Sequence, residues 1–325
     1  MRLINVKQPR LWAQKNIADE NVTMPNKERC KHAHLPLPST THGASNFGLR
    51  THITIKVSSY GGARNLAMTV SRFAAKLLIV CLLAAGQTAH ASEKITIAAA
   101  ADLKFALDEI VMLFSKAHPA DRVETIYGSS GKFQTQIRQG APFDLYFSAD
   151  IAYPRALKAE GFAASEVQPY ALGRIVLWSP SRDAGRMTLA DLADPAIRKI
   201  AIANPKHAPY GKRAEEALKA SGAWEKVEAK LVYGENVAQT AQFVQTGNAQ
   251  AGIIALSLAL SPELAKQGSY ALISDKLHQP LEQGFIVTRR AADNPLAQAF
   301  ARFMTGQDAR AVMTHYGFVL PGESK

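Results

Sequence analysis

From residue 94 onward the chain alternates short apolar runs with stretches in which apolar residues recur every three or four positions. Lys94–Ala100 (KITIAAA) reads as a first strand, and residues 102–118 carry Leu103, Ala106, Leu107, Ile110 and Phe114 along one helical face. Residues 123–127 form a second strand, followed by Gly128-Ser129-Ser130-Gly131 and a helix to Gln139; residues 144–148 form a third strand, and 175–178 another in mid-chain. The alternation then resumes. Strands are predicted over 200–203, 230–233 and 251–255, with helices after Tyr210 and Asn236 and a short one after Ala255. Gly222 and Gly247 fall where helices should stop. The chain closes with a strand over 284–288 and helices over 295–304 and 308–316.

Strand–helix alternation of this kind predicts an α/β protein. Two such series joined through single strands predict two lobes, each a mostly parallel sheet flanked by helices, with a ligand cleft between them. The expected boundaries are 92–174 for the first part of lobe I, 175–283 for lobe II and 284–325 for the return to lobe I.

The segment upstream has a different character. Residues 68–91 place Arg72 and Lys76 ahead of an apolar core from Leu77 to Gly86, and then Ala89-His90-Ala91. That is the layout of a secretory signal peptide, cleaved after Ala91. Its core is too short for a bilayer, which needs about 20 apolar residues. Cys81 follows Ile79 and Val80 rather than a small residue, so a lipoprotein anchor is not expected. Residues 1–67 show neither helical nor strand periodicity, and read as a gene-model extension or a disordered one, translation starting near Met68.

Charge confirms the division. The formal net charge of +11 would by itself suggest a polyanionic partner, but residues 1–91 carry +9 of it and residues 92–325 only +2. Basic residues beyond 91 are scattered rather than grouped with aromatics, which argues against nucleic acid. Both cysteines, Cys30 and Cys81, also lie upstream, so the main body has no disulfide framework, thiolate zinc site or cysteine nucleophile. His118, His207, His278 and His315 show no metal-ligand spacing, and His207 reads as a surface-loop residue.

Four strand-to-helix turns share one property. Ala100-Ala101-Asp102, Gly128-Ser129-Ser130-Gly131, Ala208-Pro209-Tyr210-Gly211 and Gly234-Glu235-Asn236-Val237 each put a small or capping residue where a helix begins. A helix N-terminus presents unpaired N–H groups and about half a positive charge. Several converging on one cleft would hold an anion without Lys or Arg. Each turn alone is an ordinary cap; the Gly-Ser-Ser-Gly turn, with two hydroxyls, is the most specific. Lys132 follows it, but without the spacing of a nucleotide-binding P-loop.

The stretches YGSSGKFQTQIRQGAPFDLYFSAD, LGRIVLWSP, IAIANPKHAPYGKRAEEAL, YGENVAQTAQFVQTGNAQAGIIALS and the final HYGF occur in collinear order. Together they resemble the periplasmic molybdate-binding proteins of molybdate ABC transporters, over 93–318. The resemblance implies the two-lobe type II periplasmic binding-protein fold. It also implies a periplasmic monomer that binds molybdate or tungstate, uses no cofactor, catalyses no reaction, and delivers its ligand to a membrane permease with a cytoplasmic ATPase.

Carried over by position, Ser130 offers a hydroxyl and N–H, Tyr210 and Val237 offer backbone N–H groups, and Ser129 accompanies Ser130. These residues would hold the oxygens of the anion, with no direct ligand to a metal cation. Some members have a tyrosine where this chain has Ala255. Asp102 stands where the family has Ser or Asn, and a carboxylate there would repel a dianion. Either Asp102 turns away to cap its own helix, giving only its N–H, or the ligand differs. Sulfate, phosphate or an organic anion is the alternative ligand. A secreted enzyme on the same scaffold, or a sensor domain, is the alternative class.

Overall fold

The structure is a computed structural model and describes residues 92–323; the predicted leader and the segment before it lie outside the described residues. Strands β1 (Lys94–Ala100), β2 (Arg122–Gly128), β3 (Leu145–Ser148), β4 (Gln168–Gly173) and β10 (Leu281–Val287) form one sheet in the order β2-β1-β3-β10-β4. Strands β5 (Ile175–Ser179), β6 (Ile200–Ala203), β7 (Leu231–Gly234), β8 (Ala251–Ala255) and β9 (Ser269–Leu272) form the other, in the order β7-β6-β8-β5-β9. In each sheet only the fourth strand, β10 or β5, runs against the rest. The two sheets therefore have the same construction.

The helices that matter for the site are α1 (Lys104–Ala117), α2 (Ser130–Arg138), α3 (Ala152–Ala159), α4 (Pro209–Ala220) and α5 (Val237–Gln245); α6 (Pro295–Met304) and α7 (Gln307–His315) close the chain. The face predicted for the first helix packs inward: Leu103, Ala106, Leu107, Ile110 and Phe114 are all buried. The helix itself begins later than the pattern suggested, because Ala101–Leu103 forms a 3-10 turn ahead of α1.

Side chains alternate across β1 as a buried central strand requires. Ile95, Ile97 and Ala99 join the core under α1 and α6, and Ala98 joins a second cluster with Phe133 and Tyr146. The second sheet has its own core around Trp178, Ile200, Ile202 and Ile253. Gly222 and Gly247 have φ of +69° and +77°, the left-handed conformation that ends a helix.

The chain crosses between the sheets twice. Arg174 alone separates β4 from β5, and residues 273–280 lead from β9 back to β10. Among the described residues no strand is shared by the two sheets. The return strand begins at Leu281, ahead of Gly284, with a register shift between Gln283 and Gly284.

Candidate functional site

Strands β1, β2, β6 and β7 end at Ala100, Gly128, Ala203 and Gly234, each just before one of the four turns named above. Those carboxyl ends are where open α/β sheets hold ligands. A cleft there is lined by Ala100, Ala101, Gly128, Ser129, Ser130, Ala149, Ala208, Pro209, Tyr210, Asn236 and Val237. All four turns contribute, two from each sheet. No charged side chain is on this wall. The space is small, with a cavity volume of about 10 Å3.

Each helix start leaves a donor uncommitted for a local reason. In α4, Pro209 occupies the first position, where its missing N–H costs nothing, and Tyr210 follows with an N–H too early for an intrahelical partner. In α5, Asn236 is the N-cap, and its Oδ1 accepts from Ala238 and Gln239 N–H at 3.0 Å each. That cap leaves the Val237 N–H for the cleft. Replacing Asn236 by Ala should cost about 1 kcal/mol of stability, measured by urea unfolding; an unchanged midpoint would show that the cap contributes nothing.

In α2, the Ser130 hydroxyl accepts from Ala149 N–H at 3.0 Å, and the Ser130 carbonyl accepts from Tyr146 O–H at 2.8 Å. Ser130 is therefore fixed at both ends. With its oxygen already accepting from Ala149, its hydroxyl proton is turned to donate. The wall also carries Ser129, but the Ser129 hydroxyl donates to the carbonyl of His207 and meets His207 Nδ1 at 3.0 Å. Its hydroxyl proton is thus used between the sheets rather than in the cleft.

His207 is not the free surface residue the sequence suggested. Its carbonyl also accepts from Gly131 N–H at 3.0 Å, and its Nε2 lies 3.7 Å from Glu235, which pairs with Lys132. Burial pulls the His207 imidazole below its ordinary range against the opposing pull of Glu235. The start of α2 is thereby clasped to the loop before α4.

Asp102 is not on the cleft wall, and its carboxylate does not cap its own helix. Its Oδ2 accepts from Tyr210 O–H at 3.0 Å and from Gln283 Nε2 at 2.9 Å. Capping is overridden because a fully buried carboxylate needs donors, and these two side chains supply them. Burial still pushes the carboxyl up to about 6, with Gln283 and Tyr210 pulling the other way. Ala255 is buried at the end of β8 and brings no hydroxyl.

Ala149, His207 and Gln283 were not legible as parts of this region. Ala149 follows β3 as one more small residue, and the other two act through partners far away in sequence.

Over residues 95–319 the chain matches the family model of bacterial extracellular solute-binding proteins. It is 36% identical over 245 residues to the molybdate-binding protein ModA of Azotobacter vinelandii, covering 74% of this chain and 97% of that one. The corresponding protein of Rhodobacter capsulatus is 35% identical, over 70% of this chain and 89% of its own. Among solved structures, the periplasmic molybdate-binding protein of Azotobacter vinelandii superposes with a TM-score of 0.66 at 30% identity, covering 70% of this chain and 99% of that one.

Proposed function

Because the chain belongs to the family of bacterial extracellular solute-binding proteins, we propose that it captures a single tetrahedral dianion, molybdate or tungstate, in the periplasm. It then passes that ion to a membrane permease driven by a cytoplasmic ATPase. The observation that carries this reading is the convergence of four helix starts, from both sheets, on one small cleft without a charged side chain.

N–H groups at helix starts and one serine hydroxyl suit a small oxyanion, since each donates and none adds a full opposite charge. The ion is held by dipoles that stay in place when it leaves. A drug-sized organic anion fits poorly, because sites for such ligands usually enclose about 300–1,000 Å3. The relatives named above support molybdate over sulfate or phosphate.

Capture works through the lobes. Ser130 belongs to the first sheet's half, Tyr210 and Val237 to the second, so all three reach one ion only when the halves are closed. A ligand that contacts both halves binds the closed form better and shifts the population toward it. One chain contains the complete site, and we propose the monomer as the working unit.

Calorimetric titration with molybdate, tungstate, sulfate and phosphate at matched ionic strength tests this. The expected result is 1:1 binding of molybdate and tungstate, at least tenfold tighter than of the other two. The absence of saturable binding by either metal oxyanion would overturn the proposal.

A further inference from the structure

Asp102 joins the two halves of the molecule directly behind the cleft. Its neighbours Ala100 and Ala101 form part of the cleft wall. Its own side chain turns inward and is 1% exposed. From the first half, Gln283 donates to Asp102 Oδ2 and, at 3.1 Å, to the Tyr210 hydroxyl, and Tyr170 O–H donates to Gln283 Oε1 at 2.7 Å. From the second half, Tyr210 donates to the carboxylate and Ser257 Oγ donates to the Asp102 carbonyl at 2.7 Å. Tyr210 thus touches the cleft and, through its ring hydroxyl, Asp102.

The other oxygen, Asp102 Oδ1, is buried without a hydrogen-bond partner. A bare oxygen of an ionised carboxylate is costly in such a place, and a neutral carboxylic acid costs far less. Among the described residues no cation is paired with it. The titratable groups acting on it are Tyr210 and Tyr170, both held neutral by burial well above the usual phenol range. Of the neighbouring elements, α1 brings Lys104, which pairs with Asp108, and β2 brings Tyr127, which donates to that same Asp108. Helix α5 and the one-turn helix Leu256–Ala259 bring no ionisable side chain.

Resting on the oxyanion reading above, we propose that Asp102 is a positioning residue that ties the closed halves together through Tyr210 and Gln283, and that it takes up a proton when a dianion enters the cleft. Anion capture by this chain is then linked to proton uptake. The sign follows from the charges. Burial pushes the carboxyl up to about 6, and a dianion beside it moves that value further up. Between the two values the empty protein is ionised and the loaded one is protonated. Binding there consumes a proton, and affinity falls as pH rises, by up to tenfold per pH unit. Below the lower value both forms carry the proton and the linkage disappears.

The test is calorimetric titration with molybdate at pH 7 and pH 8, each in HEPES and in Tris, for the unaltered chain and Asp102→Asn. The apparent enthalpies in two buffers of different ionisation enthalpy give the protons exchanged per anion. The unaltered chain should take up a proton fraction of up to one at pH 7 and weaken between pH 7 and 8. Asp102→Asn, neutral at either pH, should take up none and bind with the same affinity at both. Molybdate is a dianion throughout this range, so the difference between the proteins reports Asp102. The uptake by the unaltered chain is measurable even if the variant folds poorly. Binding without proton uptake by the unaltered chain, or equal uptake by a folded Asp102→Asn, would overturn the proposal. Absence of molybdate binding by the unaltered chain would overturn the oxyanion reading itself, and this inference with it.

Discussion

Ser130→Ala should weaken oxyanion binding by about ten- to a hundredfold, the range for losing one hydrogen bond to a charged partner, about 1.5–3 kcal/mol. The hydroxyl is fully buried, its oxygen is occupied by Ala149 N–H, and its proton has the cleft to donate to. Alanine removes that donor and also leaves the Ala149 N–H without its acceptor. Thermal unfolding of the ligand-free variant separates the two losses, since the second acts on stability with no anion present. Ser129→Ala provides the comparison. Its hydroxyl is directed to His207 and not into the cleft, so it should affect affinity less than Ser130→Ala does. Affinity for Ser130→Ala within twofold of the unaltered chain would remove the hydroxyl from the site.

The difference between these two adjacent serines marks the boundary of what sequence can reveal here. The four helix starts were legible because their signals are local: a strand's apolar run, a small or capping residue, then helical periodicity. All four turns line the cleft. The direction of each side chain was not legible. Ser129 meets a residue 78 positions away, and Asp102 one 108 positions away. Nothing in the spacing of a turn specifies such partners, so Asp102 read as a helix cap and His207 as a loop residue. Burial decides otherwise for Asp102, because a polar group removed from water takes whichever donor or acceptor the fold delivers; His207 does lie in a loop, half-buried, where Ser129 and Gly131 engage it.

Some strands escape the pattern for a related reason. Strand β4 carries Pro169 and alternates weakly, as an edge strand can, since proline's missing N–H is tolerated where no second neighbour needs it. Strand β9 is the other unpredicted edge. In strand β10 the polar pair Glu282-Gln283 follows Leu281, just ahead of an irregularity in the ladder, so an apolar run only starts at Gly284. Gln283 is nevertheless fully buried, because it bonds to Asp102, Tyr210 and Tyr170.

Gly131→Val should affect binding more than any change to a single donor, by well over a hundredfold, while leaving each half folded. Gly131 is the second residue of α2, and its N–H donates to His207 O between the two halves. A Cβ at this position would lie 2.8 Å from that oxygen and 3.2 Å from His207 Cα. Those are backbone atoms, so no rotamer change can make room. The halves would have to stay apart, and Ser130 could no longer share one ion with Tyr210 and Val237. The glycine is helical and not in the left-handed region, so valine is compatible with the local backbone. It also restricts the unfolded chain more than glycine does. The ligand-free variant should therefore unfold within about 1 kcal/mol of the unaltered chain, whereas the rise in melting temperature produced by saturating molybdate should vanish. The neighbouring Lys132–Glu235 pair cannot compensate, since both side chains are largely solvated and such pairs contribute little. Undiminished molybdate binding by Gly131→Val would show that closure does not bring these two backbones together. A collapse of ligand-free stability would show that the contact belongs to the fold of the empty protein rather than to capture.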